Sequence, residues 1–232
     1  MPSAQHEEIN NPFPVTADNP PADLHALLHA IHPSKISNLN LLHSRGNVLF
    51  NEGEPARGVY ILRTGRATVT ISSSEGHFVM LRLAQAGDVL GLNSVLRGGS
   101  YDTTVKIFES CRADFIARSE LIEVMQRSQA GAQAILEMLS RELAELTDRA
   151  KLLLLSRTAC GRLARLLLEW SKQDTARLDR VFTHEEIAQM ICSSRETVTR
   201  LMASLSKQQI IRVTSDSILI RDQPALQKLA FS

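Results

Sequence analysis

The sequence predicts an α+β chain: an antiparallel β sandwich or barrel, then one long helix, then a helix-turn-helix with a β wing. Three observations predict it. From Val48 to Ile116 the chain is cut into short β-like runs, "GVYILRTG", "RATVTISS", "TTVKIFE" and "RADFIA" among them, with glycines such as Gly53, Gly58, Gly65 and Gly87 at their ends. From about Gln129 apolar residues recur at alternating spacings of 4 and 3. Near the C-terminus Thr183 and Glu186 form a T-x-x-E pair that opens a helical pattern, interrupted once and resumed at "SSRETVTRLMASL". Short strands turned at glycines close antiparallel layers. A sustained heptad seam belongs to a long helix, and a T-x-x-E pair is a capping box.

The 232 residues, 44% of them hydrophobic, allow one large domain or two small ones with real cores. No apolar run approaches the roughly eighteen residues of a membrane helix. The opening "MPSAQHEEINNPFPVTADNPPAD" has neither a basic start nor an apolar stretch and reads as a loose arm over residues 1–22 rather than a signal peptide. A cytoplasmic protein is expected, with no membrane partner. Cys111, Cys160 and Cys192 form no CxxC spacing and no disulfide framework, so small-residue packing is their ordinary reading. Cys192 also lies beside a helix start, where a thiol can become more acidic and its oxidation would weaken anion binding. The net charge of +1 conceals an asymmetry: from Arg149 onward 14 Lys and Arg face 8 Asp and Glu, a balance of +6, while residues 1–148 hold 12 against 17, a balance of −5. Only the C-terminal part is suited to a polyanion.

In chain order, "ADLHALLHAIHPSKISNLNLL" reads as one or two short helices, with Asp23 as N-cap and a break at Pro33. His25, His29 and His32 share its face, but without an acidic or Cys partner no metal site is expected. The β region follows, then "SELIEVMQRS" as a short helix. The long helix, residues 129–155, carries Ala132, Leu136, Leu139, Leu143, Leu146, Ala150 and Leu153 as an a/d seam. At 1.5 Å per residue it would be about 40 Å long, too long for a small β domain alone to cover, which favours a parallel homodimer joined along the seam.

"SRTACGRLARLLLEWSKQ" begins the last region, residues 156–232, with Ser156 or Thr158 as N-cap and Leu163, Leu166, Leu167 and Trp170 as its apolar stripe. "DTARLDRVF" is a polar loop with a short strand at its end. A helix over Thr183 to about Ile191 and a turn at Cys192-Ser193 lead to a second helix from Ser194 to about Gln208. Val198, Leu201, Met202 and Leu205 would face inward, leaving Arg195, Glu196, Thr199 and Arg200 exposed. "IIRVTSDSILIRD" forms a wing turned at Ser215-Asp216, and "PALQKLA" a last helix with Pro224 in its first turn. A helix-turn-helix reads DNA with the first residues of its second helix. Arginine donates bidentately to guanine and glutamate accepts from cytosine N4. Short hydroxyls such as Ser193, Ser194 and Thr197, and free helix-start N–H groups, suit phosphates.

On these residues the chain resembles the cyclic-AMP receptor protein/FNR family of bacterial transcription regulators. The likeness runs from about Leu41 to the C-terminus and is carried by "GEPARGVYILRTGRATV", "GRLARLLLEWSK" and, most specifically, "EEIAQMICSSRETVTRLMASL". The resemblance implies a cupin-like antiparallel β-roll sensor over residues 23–128, a dimerisation helix over 129–155 and a winged helix-turn-helix over 156–232. It implies a homodimer on palindromic double-stranded DNA that works with RNA polymerase. It makes Arg195, Glu196 and Arg200 base readers and Thr183, Ser194 and Thr197 phosphate contacts. Arg195 is similar to the cyclic-AMP receptor type, which favours a G-containing half-site, whereas Thr199 is closer to the FNR type.

The departures bear on the effector. Cyclic-nucleotide members have Gly-Glu-Leu and, about ten residues on, Arg-Ser; here stand Gly91-Leu92-Asn93 and Asp102-Thr103. The adenine-contacting Thr-Ser pair of the dimer helix is Thr147-Asp148. These seven residues are the candidate effector pocket, and they argue against cyclic AMP. The cysteine cluster of an iron–sulfur sensor is missing, and Asn93 lies where haem-binding relatives place a His, so neither cofactor is expected. No nucleophile–base set, metal triad or P-loop is visible, so an enzyme is not expected. The rival reading, a β-roll acting through a protein partner, fits the helix-turn-helix and the basic tail less well.

Overall fold

In a computed structural model the residues described are 22–31, 36–72, 78–171, 177–179, 182–214 and 217–230. They form two compact units that divide between Lys151 and Leu152, inside the long helix.

The first unit holds α1 (Ala22–Ala30), β1 (Ile36–His43), β2 (Val48–Phe50), β3 (Gly58–Ser72), β4 (Phe78–Ala84), β5 (Val89–Leu90), α2 (Leu92–Arg97), β6 (Thr104–Ala117), α3 (Arg118–Arg127) and most of α4 (Gln129–Leu155). The sheet order is β1-β6-β3-β4, with β2 on β6 and β5 on β3, and every pairing is antiparallel. The long β3–β6 ladder runs from Gly58 opposite Ala117 to Thr70 opposite Thr104 and shifts register around Thr64–Ala67. Gly65 stands at that shift with φ +77, and a Cβ there would lie 2.5 Å from the Ser110 carbonyl oxygen. Leu24, Leu27, Ile61, Leu62, Ile107, Ile116 and Leu121 are fully buried between sheet and helices.

Three local readings are corrected here. Residues 36–43 are a strand rather than a helix: the backbone pairs with β6 from Ile36 opposite Ile116 to His43 opposite Cys111. A bulge at Asn40, φ 56, is pinned where its N–H donates to Asp114 at 2.6 Å. Asp23 does not cap α1; it lies within the first turn, buried, and pairs with Arg141 of α4. A six-residue helix, α2, stands where the sequence suggested only a strand end. His32 and Pro33 lie outside the described residues, as do most of the N-terminal arm and the Ser215-Asp216 turn.

α4 carries two apolar stripes. Ala134, Ile135 and Met138 are buried against the sheet domain. Leu136, Leu143 and Leu146 face outward, and Leu139 lies between, packed at the edge of the core.

The second unit contains α5 (Ala159–Ser171), β7 (Arg177–Asp179), α6 (His184–Met190), α7 (Arg195–Lys207), β8 (Ile211–Val213), β9 (Ser217–Ile220) and α8 (Gln223–Ala230). Its three strands run β7-β9-β8, all antiparallel. Leu163, Leu166 and Leu167 of α5, Ile187 of α6 and Leu226 of α8 are buried together with Val198, Met202 and Leu205 of α7. Thr158 caps α5 through the Gly161 N–H at 3.0 Å, and Asp222 caps α8 through the Ala225 N–H at 2.9 Å. No described helix is long and apolar enough to cross a membrane.

Candidate functional site

The helix-turn-helix is built from two caps and a tight turn. Thr183 and Glu186 close a capping box on α6, with the Thr183 N–H and hydroxyl both donating to the Glu186 carboxylate, at 2.7 and 2.9 Å. The Thr183 hydroxyl proton is thereby committed to Glu186. Ser194 caps α7, accepting the Thr197 N–H at 3.2 Å, and its hydroxyl lies 3.1 Å from that of Thr197. Between the helices Cys192 takes φ 48, a left-handed conformation that costs a side-chain-bearing residue about 1 kcal/mol.

That turn is held by Arg162 of α5. Its Nε donates to the Ile191 carbonyl at 2.7 Å, Nη2 to Cys192 at 3.3 Å and Nη1 to Ser156 at 3.3 Å. A hydrogen bond that involves a charged group contributes about 1.5–3 kcal/mol. Arg162→Ala is expected to lower thermal stability and, because α7 loses its fixed angle to α6, to weaken DNA binding. Arg162→Lys should recover little, since an ammonium cannot fork to three carbonyls. Calorimetry paired with a DNA-binding titration checks this; unchanged binding in the alanine variant would show the turn to be self-sufficient.

The outward face of α7 presents Arg195, Glu196, Thr199 and Arg200, all exposed, while Val198, Met202 and Leu205 on the opposite face are buried and Leu201 is half-buried. Glu196 is held below the usual carboxylate range by hydrogen bonds from its own backbone N–H and from Ser194, with Arg195 adding to them, so it stays ionised as an acceptor. Thr199 is less free than its exposure suggests. Its hydroxyl donates to the Arg195 carbonyl at 2.9 Å and meets His184 Nδ1 at 2.9 Å, tying α7 to α6. Sequence reasoning missed both His184 and Arg162, because their partners lie 15 and about 30 residues away in the chain. Ser193 is half-buried and its N–H donates to Ala188 at 3.0 Å. Small-residue packing holds for Cys111, whose thiol burial pushes up to about 11, but not for Cys192, which is exposed.

In the sheet domain a cavity of about 360 Å³ lies between β3, β4, β6, the Gly91–Ser94 corner and α4. Gly91, Asn93, Asp102 and Thr103 line it. Gly91 must be glycine there: φ is +81, and a Cβ would lie 2.7 Å from the Tyr101 ring, itself stacked on Phe50 at 3.8 Å. Three of the predicted pocket residues are elsewhere. Leu92 is 1% exposed and part of the core, because the α2 turn aims it inward. Thr147 donates to the Leu143 carbonyl at 2.8 Å on an exposed stretch of α4, and Asp148 pairs with Lys151 at 2.8 Å. Neither Thr147 nor Asp148 lines the cavity.

Asp102 is enclosed by donors. Its carboxylate accepts from Asn93 Nδ2 at 3.2 Å, from the Ser94 hydroxyl at 3.1 Å and from Arg97. Across the cavity, Arg82 of β4 donates to Asp88 at 2.6 Å and lies 3.7 Å from Glu145 of α4. Burial disfavours the Arg82 charge, but Asp88, Glu145 and Glu142 outweigh it and raise its pKa. Burial pushes Glu142 and Glu145 up, against the pull of Arg82. Arg82 and Glu142 were not singled out from sequence; a charged residue in an otherwise β-apolar run, "VMLRLA", was the available signal for the first.

An antiparallel sheet domain followed by helices and a winged helix-turn-helix defines a DNA-binding transcription regulator. The Crp-like helix-turn-helix domain model matches residues 161–229, and the cyclic nucleotide-binding domain model matches residues 42–128. The chain is 27% identical over 192 residues to a CRP-like cAMP-activated global transcriptional regulator of Mycobacterium tuberculosis, covering 80% of this chain and 85% of the relative. It is 27% identical over 202 residues to the global nitrogen regulator of Synechococcus elongatus, covering 79% and 86%. The structure of FixK2 from Bradyrhizobium japonicum matches its fold with a TM-score of 0.69 at 24% identity, over 83% of this chain and 97% of that one. The chain belongs to the CRP/FNR family of transcription regulators.

Proposed function

We propose that the protein is a homodimeric, sequence-specific regulator that reads a palindromic site with α7 and whose sheet-domain pocket has diverged from cyclic AMP. The observation that carries the DNA reading is the exposed face of α7, where two arginines and an ionised glutamate stand on a helix whose other face is anchored by Val198, Met202 and Leu205. Arg195, Glu196 and Arg200 read bases; Ser194 and Thr197, with the helix-start N–H groups, hold phosphates. Thr183, Ser193 and Thr199 position the two helices, since their polar groups are engaged within the motif. The 27-residue α4, with Leu136, Leu143 and Leu146 exposed along it, supports the dimer. Work in the cytoplasm alongside RNA polymerase follows from the same reading. A randomised-site selection tests it: a symmetric site is expected, and an asymmetric one would overturn the dimeric reading.

The pocket reading rests on Asp102. A cyclic phosphate would meet a carboxylate that already holds the local donors, and like charges at close range in a partly dry cavity repel strongly. Although curated relatives are described as cAMP-activated, millimolar cyclic AMP is expected neither to raise the melting temperature nor to change DNA affinity here. A saturable calorimetric signal in the micromolar range would defeat this.

A further inference from the structure

Resting on the reading that this pocket does not take a cyclic nucleotide, we propose that it binds a small molecule with an apolar body and a cationic head, an organic ammonium, with the head seated against Glu142. The cavity, about 360 Å³, is within the size range of small-molecule sites and is walled mainly by apolar side chains, among them Val69, Leu81, Leu90, Val105, Leu139 and Leu143. Such a wall supplies binding through desolvation of an apolar body. The few polar groups then fix orientation and charge preference.

Those groups select against anions at both ends. At one end the donors that could meet an anion, Asn93, Ser94 and Arg97, already converge on the Asp102 carboxylate, so that site is filled from within the chain. At the other end a single guanidinium, Arg82, faces Asp88, Glu145 and Glu142. Its hydrogen bond goes to Asp88 at 2.6 Å. Glu142 lines the cavity and accepts no hydrogen bond among the described residues. The cavity therefore carries more negative than positive groups, with one half-buried carboxylate whose acceptor positions are open. Burial already disfavours the ionised form of Glu142. An ammonium placed against it adds to the counter-charge that Arg82 shares among three carboxylates and supplies up to three donors, and an apolar chain behind the ammonium would occupy the leucine- and valine-lined space.

The test uses full-length protein and three probes of one shape: 4-phenylbutylamine, 4-phenylbutanol and 4-phenylbutyrate, followed by ligand-observed NMR and thermal shift, with cyclic AMP as a fourth arm. The amine is expected to saturate at least about tenfold more tightly than the carboxylate, with the alcohol between them. Glu142→Gln should remove most of the amine's advantage while leaving alcohol binding in place, which also shows that the variant is folded. Equal or tighter binding of the carboxylate, no binding of the amine, or an unchanged amine preference in Glu142→Gln would overturn the proposal. Saturable cyclic AMP binding would instead overturn the reading on which it rests, so the two failures are distinguishable.

Discussion

A double substitution, Leu143→Glu with Leu146→Glu, is expected to convert the proposed dimer to a monomer at micromolar concentration and to remove high-affinity binding to the proposed palindromic site. Leu143 is 66% exposed and Leu146 38% exposed on the single chain, where they border the sheet-domain cavity rather than sit in the core, so their loss should cost the fold little. Against a second copy both would be buried, at about 1.5–3 kcal/mol for each leucine fully covered. Two positions repeated by two-fold symmetry bring the loss to on the order of 4 kcal/mol or more, roughly a thousandfold in the dissociation constant. Glutamates facing their symmetry mates add repulsion and desolvation. Light scattering decides: a monomeric wild-type protein, or a variant that stays dimeric, would remove the seam from the argument. Circular dichroism of the variant should still show the native helix content.

What could be read from the chain alone was what local chemistry determines. α4 follows from a heptad spacing carried within its own 27 residues, and α6 from the Thr183–Glu186 box, whose partners are three residues apart. β1 could not be read because nothing within "ISNLNLL" marks it as a strand; its hydrogen bonds are supplied by β6 some seventy residues later. α2 depends on a left-handed Gly91 packed under Tyr101, and that packing in turn sends Leu92 into the core. A sequence comparison shows that a leucine replaces a glutamate but cannot show which way the leucine points. The same limit hid the second stripe of α4, since Ile135 and Leu136 are neighbours in sequence and one is buried while the other is exposed. In the helix-turn-helix the residue types at the start of α7 were legible. The ties that set its angle, Arg162 to the turn and His184 to Thr199, were not, because each joins separate elements.

Those ties matter for the reading residues themselves. Arg195→Ala or Arg200→Ala is expected to cost about 1–3 kcal/mol in specific binding and to relax preference at one base pair in each half-site, because a bidentate arginine–guanine contact is lost while the helix stays seated. The helix stays seated because neither side chain contributes to the buried face formed by Val198, Met202 and Leu205. Arg195 also keeps its backbone role, since its carbonyl, not its guanidinium, accepts the Thr199 hydroxyl. Thr197→Ala should behave differently: it removes the hydroxyl proposed to meet phosphate, and the partner of Ser194, weakening binding to all sequences with little change in preference. In a dimer the half-site centres should lie about 34 Å apart, one turn of DNA. Selections with wild-type, Arg195→Ala and Thr197→Ala protein separate these effects. Unchanged preference at every position in Arg195→Ala would mean that the charged start of α7 is only a solvated helix end.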